Sequence, residues 1–173
     1  MKLEVINKAQ YRKMNNRVQM ALIAMLAGLS VLIGQVLIAF YGSQAMPDGS
    51  TGNFNLNFLG VIIALMICTF IVRKNREKPQ FHEVYYVWQL KQLQNKIFKK
   101  LTKIKQAAND NQTDALIISL FYYQSLANVY ELDNNTLTME KVTAELEQIE
   151  AQIQQLNLTV STDDFEQSML AQY

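Results

Sequence analysis

Two side chains open the chain's one candidate for metal chemistry. His82-Glu83 begins a zinc-protease HExxH pattern, but position 86 is Tyr and the chain has one histidine. A zinc site built from two imidazoles on one helix face is therefore excluded. One cysteine, Cys68, rules out an internal disulfide, and its place inside an apolar run reads as packing rather than as a reactive thiol. No GxxxxGK[ST], GxGxxG or GxSxG occurs, so phosphate loops and a nucleophile elbow are absent. Glu140, Glu145, Glu147 and Glu150 lie off an apolar stripe, as the solvated face of a helix does. The expectation is a protein that is not an enzyme and needs no cofactor or metal.

What remains is organisation. The 173 residues carry a formal charge of +1, which is a cancellation. Residues 1–108 hold fifteen basic and four acidic side chains (+11), and residues 109–173 hold one and eleven (−10). Apolar character is equally uneven. Val18–Tyr41 runs for twenty-four residues without a charge, about 36 Å of helix at ~1.5 Å per residue, enough to cross a hydrocarbon core. A second run, Phe54–Val72, reaches nineteen residues. Between them lies a turn-rich segment, residues 42–53, with no lysine or arginine.

Five basic residues precede the first run (Lys2, Lys8, Arg12, Lys13, Arg17) and four follow the second (Arg73, Lys74, Arg76, Lys78). By the positive-inside rule both termini are cytoplasmic and the loop is external. The alternative, a signal peptide cleaved near Ser43-Gln44-Ala45, conflicts with an apolar run far longer than the usual ~7–15 residues. Three pairs of small residues four apart, Ala24/Gly28, Ser30/Gly34 and Gly60/Ala64, allow helix backbones to approach closely. They read first as packing of the two spans on each other, and second as a dimer seam. Gln35 alone is thin support for a transport path.

Beyond the spans the pattern is all-α: a two-helix transmembrane hairpin followed by a cytoplasmic three-helix bundle. A helix over residues 81–108 carries Leu90, Leu93, Ile97, Leu101 and Ile104 as one stripe, with six lysines outside it. Asp110-Asn111 ends it. A helix over residues 112–132 is apolar on most of its circumference and is therefore central. After Asp133-Asn134, a third helix capped by Asn135 runs to about Asn157, with Met139, Val142, Leu146, Ile149, Ile153 and Leu156 as a short coiled-coil-like seam. Residues 159–173 form an acidic tail, a short amphipathic helix or disordered. The divisions expected are thus 1–17 basic tail, 18–41 and 54–72 spans, 42–53 loop, 73–158 bundle and 159–173 tail.

If the 81–108 helix is continuous, Phe81, Tyr85 and Trp88 lie opposite its leucine stripe and share a face with Lys96, Lys99 and Lys103. Aromatics and lysines on one face suit a helix lying on a bilayer. The competing reading packs those aromatics under the tail or the third helix. Lysine without arginine beside a membrane points to lipid phosphates, not nucleic acid. Tyr122, Tyr123 and Tyr130 read as core, and only secondarily as a partner groove.

The segments Asn53-Phe54-Asn55-Leu56-Asn57-Phe58-Leu59-Gly60-Val61, Val84-Tyr85-Tyr86-Val87-Trp88-Gln89-Leu90-Lys91, Phe121-Tyr122-Tyr123 and Leu132-Asp133-Asn134-Asn135 resemble an uncharacterised family of small bacterial membrane proteins. It is a domain of unknown function, found mainly in gammaproteobacteria. The resemblance covers about Ile6 to Leu158. It implies a two-span inner-membrane layout and carries no activity or site residue. The reading is a membrane-anchored interaction or scaffold module, with the bilayer as one partner and another protein or a second copy as the other. The alternative is an accessory or transport subunit whose spans assemble into a larger complex.

Overall fold

The computed structural model describes residues 1–42 and 52–173, and the described part is all-α, without a strand. Most of the expected external loop and the Ser43-Gln44-Ala45 segment lie outside the described residues. The helices are α1 (Lys8–Tyr41), α2 (Phe54–Asn75), α3 (His82–Phe98), α4 (Leu101–Asn109), α5 (Thr113–Asp133) and α6 (Met139–Gln155). Contacts divide the chain into two units, one of residues 1–12 and 83–173, the other of residues 13–82.

The larger unit is organised around α5. Its apolar circumference buries Leu116, Ile118 and Phe121 completely and takes α4 and α6 against its sides. Leu90, Leu93 and Ile97 of α3 and Ile104 of α4 join the same core, as the stripe spacing required. The α6 seam buries Val142, Ile149 and Ile153 and packs on α5. Met139 and Leu146 are half-buried and Leu156 is exposed, so the seam is covered over its middle and not at its C-terminal end.

Three departures from the sequence reading have physical causes. The expected 81–108 helix breaks at Lys99–Lys100, where Lys100 takes φ −112° and ψ 0°. No Gly or Pro marks the break. It lets Ile97 and Ile104 both reach full burial, and the Lys100 ammonium donates to the Leu170 carbonyl at 2.8 Å. Asn135 does not cap α6, which starts after Thr138. Its amide donates to the Tyr130 carbonyl (2.8 Å) and closes α5 from behind.

The third departure is at both ends of the chain. The basic tail is partly folded: residues 1–12 belong to the α5-centred unit, with Leu3 and Ile6 against its core and Tyr11 buried. The acidic tail is ordered as two short 3-10 stretches, Thr162–Asp164 and Gln167–Gln172. Ser161 and Asp164 form a reciprocal capping box at the first. Phe165 then stacks on Phe121 with ring centroids 4.1 Å apart, both buried.

Asparagine sets the helix ends. Asn111, Asn134 and Asn157 have φ of 60°, 55° and 51°, the left-handed region that asparagine tolerates better than most residues. Each sits after α4, α5 or α6, and paired amides from it and the next residue satisfy the last carbonyls of its helix.

The second unit contains the rest of α1 and all of α2. These two helices are long and apolar enough to cross a membrane, and little of their apolar surface is buried. Ile23, Val31, Leu32, Phe58, Met66 and Phe70 are exposed. Their hydroxyls are satisfied within the helix: Ser30 donates to the Leu26 carbonyl (2.7 Å) and Thr69 to that of Leu65 (2.8 Å).

Candidate functional site

The residues singled out for span packing divide cleanly. Gly34, Gly60 and Ala64 are buried where α1 and α2 meet, and Ser30 is half-buried. A Cβ on Gly60 would lie 2.9 Å from the Gly34 nitrogen, 3.0 Å from its Cα and 3.3 Å from the Ser30 carbonyl oxygen. Only a residue without a side chain permits that approach. A Cβ on Gly34 would meet the Asn57 Oδ1 at 2.9 Å. Ala24 and Gly28 do not share this contact: both are exposed, and a Cβ on Gly28 would meet nothing within 4 Å. Gln35 is exposed as well, and Cys68 is buried.

The surface-contact residues also divide. Trp88 is 52% exposed, and its ring is stacked on that of half-buried Tyr85 (5.8 Å between centroids, 13° between planes). Phe81 is half-buried in the 3-10 turn Pro79–Phe81 that precedes α3. Lys96 lies on α3, Lys99 in the break, and Lys103 on α4, so the helical register that would unite all three does not run through Lys103. All three lysines are exposed.

The other three lysines of this stretch have internal partners. Lys91 donates to Asp133 Oδ2 at 2.7 Å, Lys100 to the Leu170 carbonyl, and Lys105 to both Glu145 oxygens at 2.8 and 2.7 Å. The ammonium groups of Lys96, Lys99 and Lys103 have no partner among the described residues. Sequence pattern selected these three by helical angle. The structure separates them by a different criterion, which is that nothing in the fold neutralises them.

A polar belt that the sequence reading missed holds residues 1–12 in place. Tyr86 accepts from the Glu4 amide (2.8 Å) and donates to the Lys2 carbonyl (3.1 Å). Tyr11 donates to Asp133 Oδ1 (3.0 Å), whose other oxygen takes Lys91. Tyr86 and Lys91 lie in one of the segments that carry the family resemblance and Asp133 in another, and the fold joins Lys91 to Asp133. Burial raises the pKa of the Tyr86 phenol.

Tyr122 and Tyr123 are core residues, and Tyr130 is half-buried, so these three do not form an open partner groove. Burial pushes the Tyr122 phenol up to about 12. Lys105 sits 5.5 Å from the Tyr123 ring centroid while paired with Glu145, whose carboxyl is held below its ordinary range by that hydrogen bond. The cluster is an internally satisfied ion pair over an aromatic ring. Among the described residues no group of three or more His, Cys, Asp or Glu side chains converges as a metal site would require.

A family model for a protein of unknown function, DUF3087, matches residues 1–170, which takes in residues of both units. The chain belongs to the DUF3087 family. The DUF3087 match takes in the docked first residues, both long apolar helices and the Phe165 stack, so these are parts of one family unit rather than additions to it. No curated protein and no solved structure matches the chain.

Proposed function

We propose that this DUF3087 chain is a non-catalytic, membrane-anchored helical module of a bacterial inner membrane. Its two spans cross the bilayer, both termini are cytoplasmic, and the α5-centred unit is offered to a protein partner or a second copy. The observation that carries this reading is the contrast between the units. In one, apolar side chains are buried around α5; in the other, Ile23, Val31, Leu32, Phe58 and Phe70 face outward on helices of 34 and 22 residues. Exposure of so many large apolar side chains is costly in water and favourable in lipid. The basic residues before α1's apolar run and at the end of α2 support the orientation.

Carbonate extraction together with paired cytoplasmic and external reporters after Tyr173 tests it. Retention in the membrane with signal only from the cytoplasmic reporter is expected. Extraction of the intact chain, or signal only from the external reporter, overturns it.

The exposed Ala24, Gly28 and Gln35 favour a second reading, in which the spans assemble into a larger membrane complex as an accessory or transport subunit. A cysteine at Gly28 that crosslinks to another chain in native membranes supports it. Absence of such a crosslink favours the simple anchor.

A further inference from the structure

We infer that the exposed side of α3, the turn after it and the start of α4 form an anionic-lipid contact, with Trp88 as its interfacial anchor and Lys96, Lys99 and, from α4, Lys103 as its phosphate-facing charges. The inference rests on the proposed membrane anchoring and names what this surface meets. Three observations carry it. First, residues 82–109 contain six lysines and one acidic residue, Glu83, and the fold gives partners to Lys91, Lys100 and Lys105 only. Second, Trp88 is the chain's single tryptophan, and it stands exposed and stacked on Tyr85 in the same exposed stretch, although its neighbours Val87 and Leu90 are buried. Third, six residues separate the end of α2 from the start of α3, a tether that reaches at most about 25 Å. If α2 spans a bilayer, α3 starts no farther than about 25 Å from the end of that span.

Charge decides the occupant. No arginine occurs after Arg76, so the positive character here is lysine alone. Protein interfaces are enriched in arginine and depleted in lysine, whereas lysines near an anionic leaflet each gain about 1 kcal/mol, or roughly fivefold in partitioning. An indole ring with lysines about it suits the headgroup boundary, where the ring meets the acyl edge and the ammonium groups reach the phosphates.

The full chain, reconstituted in vesicles of phosphatidylcholine with and without phosphatidylglycerol, tests this through Trp88 emission. In phosphatidylglycerol vesicles the emission is expected to shift to shorter wavelength, to be quenched by lipids brominated near the headgroup end of the chain, and to be shielded from acrylamide. The variant K96E/K99E/K103E is expected to lose most of that shielding, while its far-ultraviolet circular dichroism is unchanged. Equal acrylamide access in both vesicle types overturns the inference. So does shielding from acrylamide without lipid quenching, which indicates a protein partner or second copy over Trp88. Carbonate extraction of the same vesicles reports separately on the anchoring: a chain that resists extraction yet keeps Trp88 open to water retains the anchor and loses the lipid contact.

Discussion

Tyr11 and Asp133 lie 122 positions apart and share a 3.0 Å hydrogen bond, with the Tyr11 ring 2% exposed and Asp133 also bound by Lys91. One carboxylate thus ties the N-terminal segment to the junction of α3 and α5. Tyr11→Phe keeps the ring and removes the donor, with an expected cost of about 1 kcal/mol. Tyr11→Ala empties a core position, at about 3–5 kcal/mol by analogy with other large aromatic truncations. Urea unfolding in detergent micelles, followed by Trp88 emission, measures both, and equal losses would show that the ring contributes nothing.

The glycines of α1 and α2 rank by what a methyl group meets. Gly60→Ala presses on Gly34 backbone atoms at 2.9 and 3.0 Å, which cannot swing aside, so α1 and α2 must part at about 1–3 kcal/mol. Gly34→Ala meets the end of the Asn57 side chain, which can rotate, and costs less. Gly28→Ala has open space and leaves the pair unchanged. Unfolding by sodium dodecyl sulfate in mixed micelles gives the order, and a Gly28 effect as large as that of Gly60 would contradict it.

Phe165, stacked on Phe121, is the main apolar anchor of the last fifteen residues, beside the hydrogen bonds of Lys100 to the Leu170 carbonyl and Gln172 to Asp114. Phe165→Ala is expected to cost about 3–5 kcal/mol and to release the segment after Leu158. Limited proteolysis should cut the variant in that segment at protease levels the parent resists.

Two pH limbs follow from opposite shifts. Lys105 depresses the folded pKa of Glu145, so the carboxylate stabilises the fold above its ordinary value of 4.5. That contribution is lost as pH falls through the lower folded value. Glu145→Gln should flatten the acid limb of an unfolding-midpoint profile. Burial raises Tyr122 from about 10 to about 12, so its contribution is complete below about 10 and disappears as pH climbs toward 12. Phenolate absorbance should show this ring ionising late, and Tyr122→Phe should soften the alkaline limb.

The long apolar helices, the central role of α5 and the ends at Asp110-Asn111 and Asp133-Asn134 were legible because each leaves a local mark: length without charge, an apolar circumference, or Asp-Asn between periodic runs. The docking of residues 1–12 was not. Leu3, Ile6 and Tyr11 have no periodicity in so short a stretch, and their partners Tyr86 and Asp133 are remote in sequence. The break at Lys99–Lys100 left no signal either, since tertiary packing rather than a helix breaker places it. The order after Leu158 did have one, a Ser161-x-x-Asp164 box whose weight the sparse apolar pattern around it concealed. At the surface, helical angle pointed to Lys96, Lys99 and Lys103, and the break before α4 takes Lys103 out of that register. Which lysines stay unneutralised depended on Asp133, Glu145 and Leu170, whose positions only the fold supplies.

The unit that contains residues 1–12 also needs residues 83–173, and the apolar runs of both long helices lie between the two parts in the chain. During synthesis the first piece therefore emerges early and waits until its complement leaves the ribosome. Tyr11 cannot meet Asp133 before α1 and α2 have been made, so both apolar stretches have already left the ribosome when this core first closes.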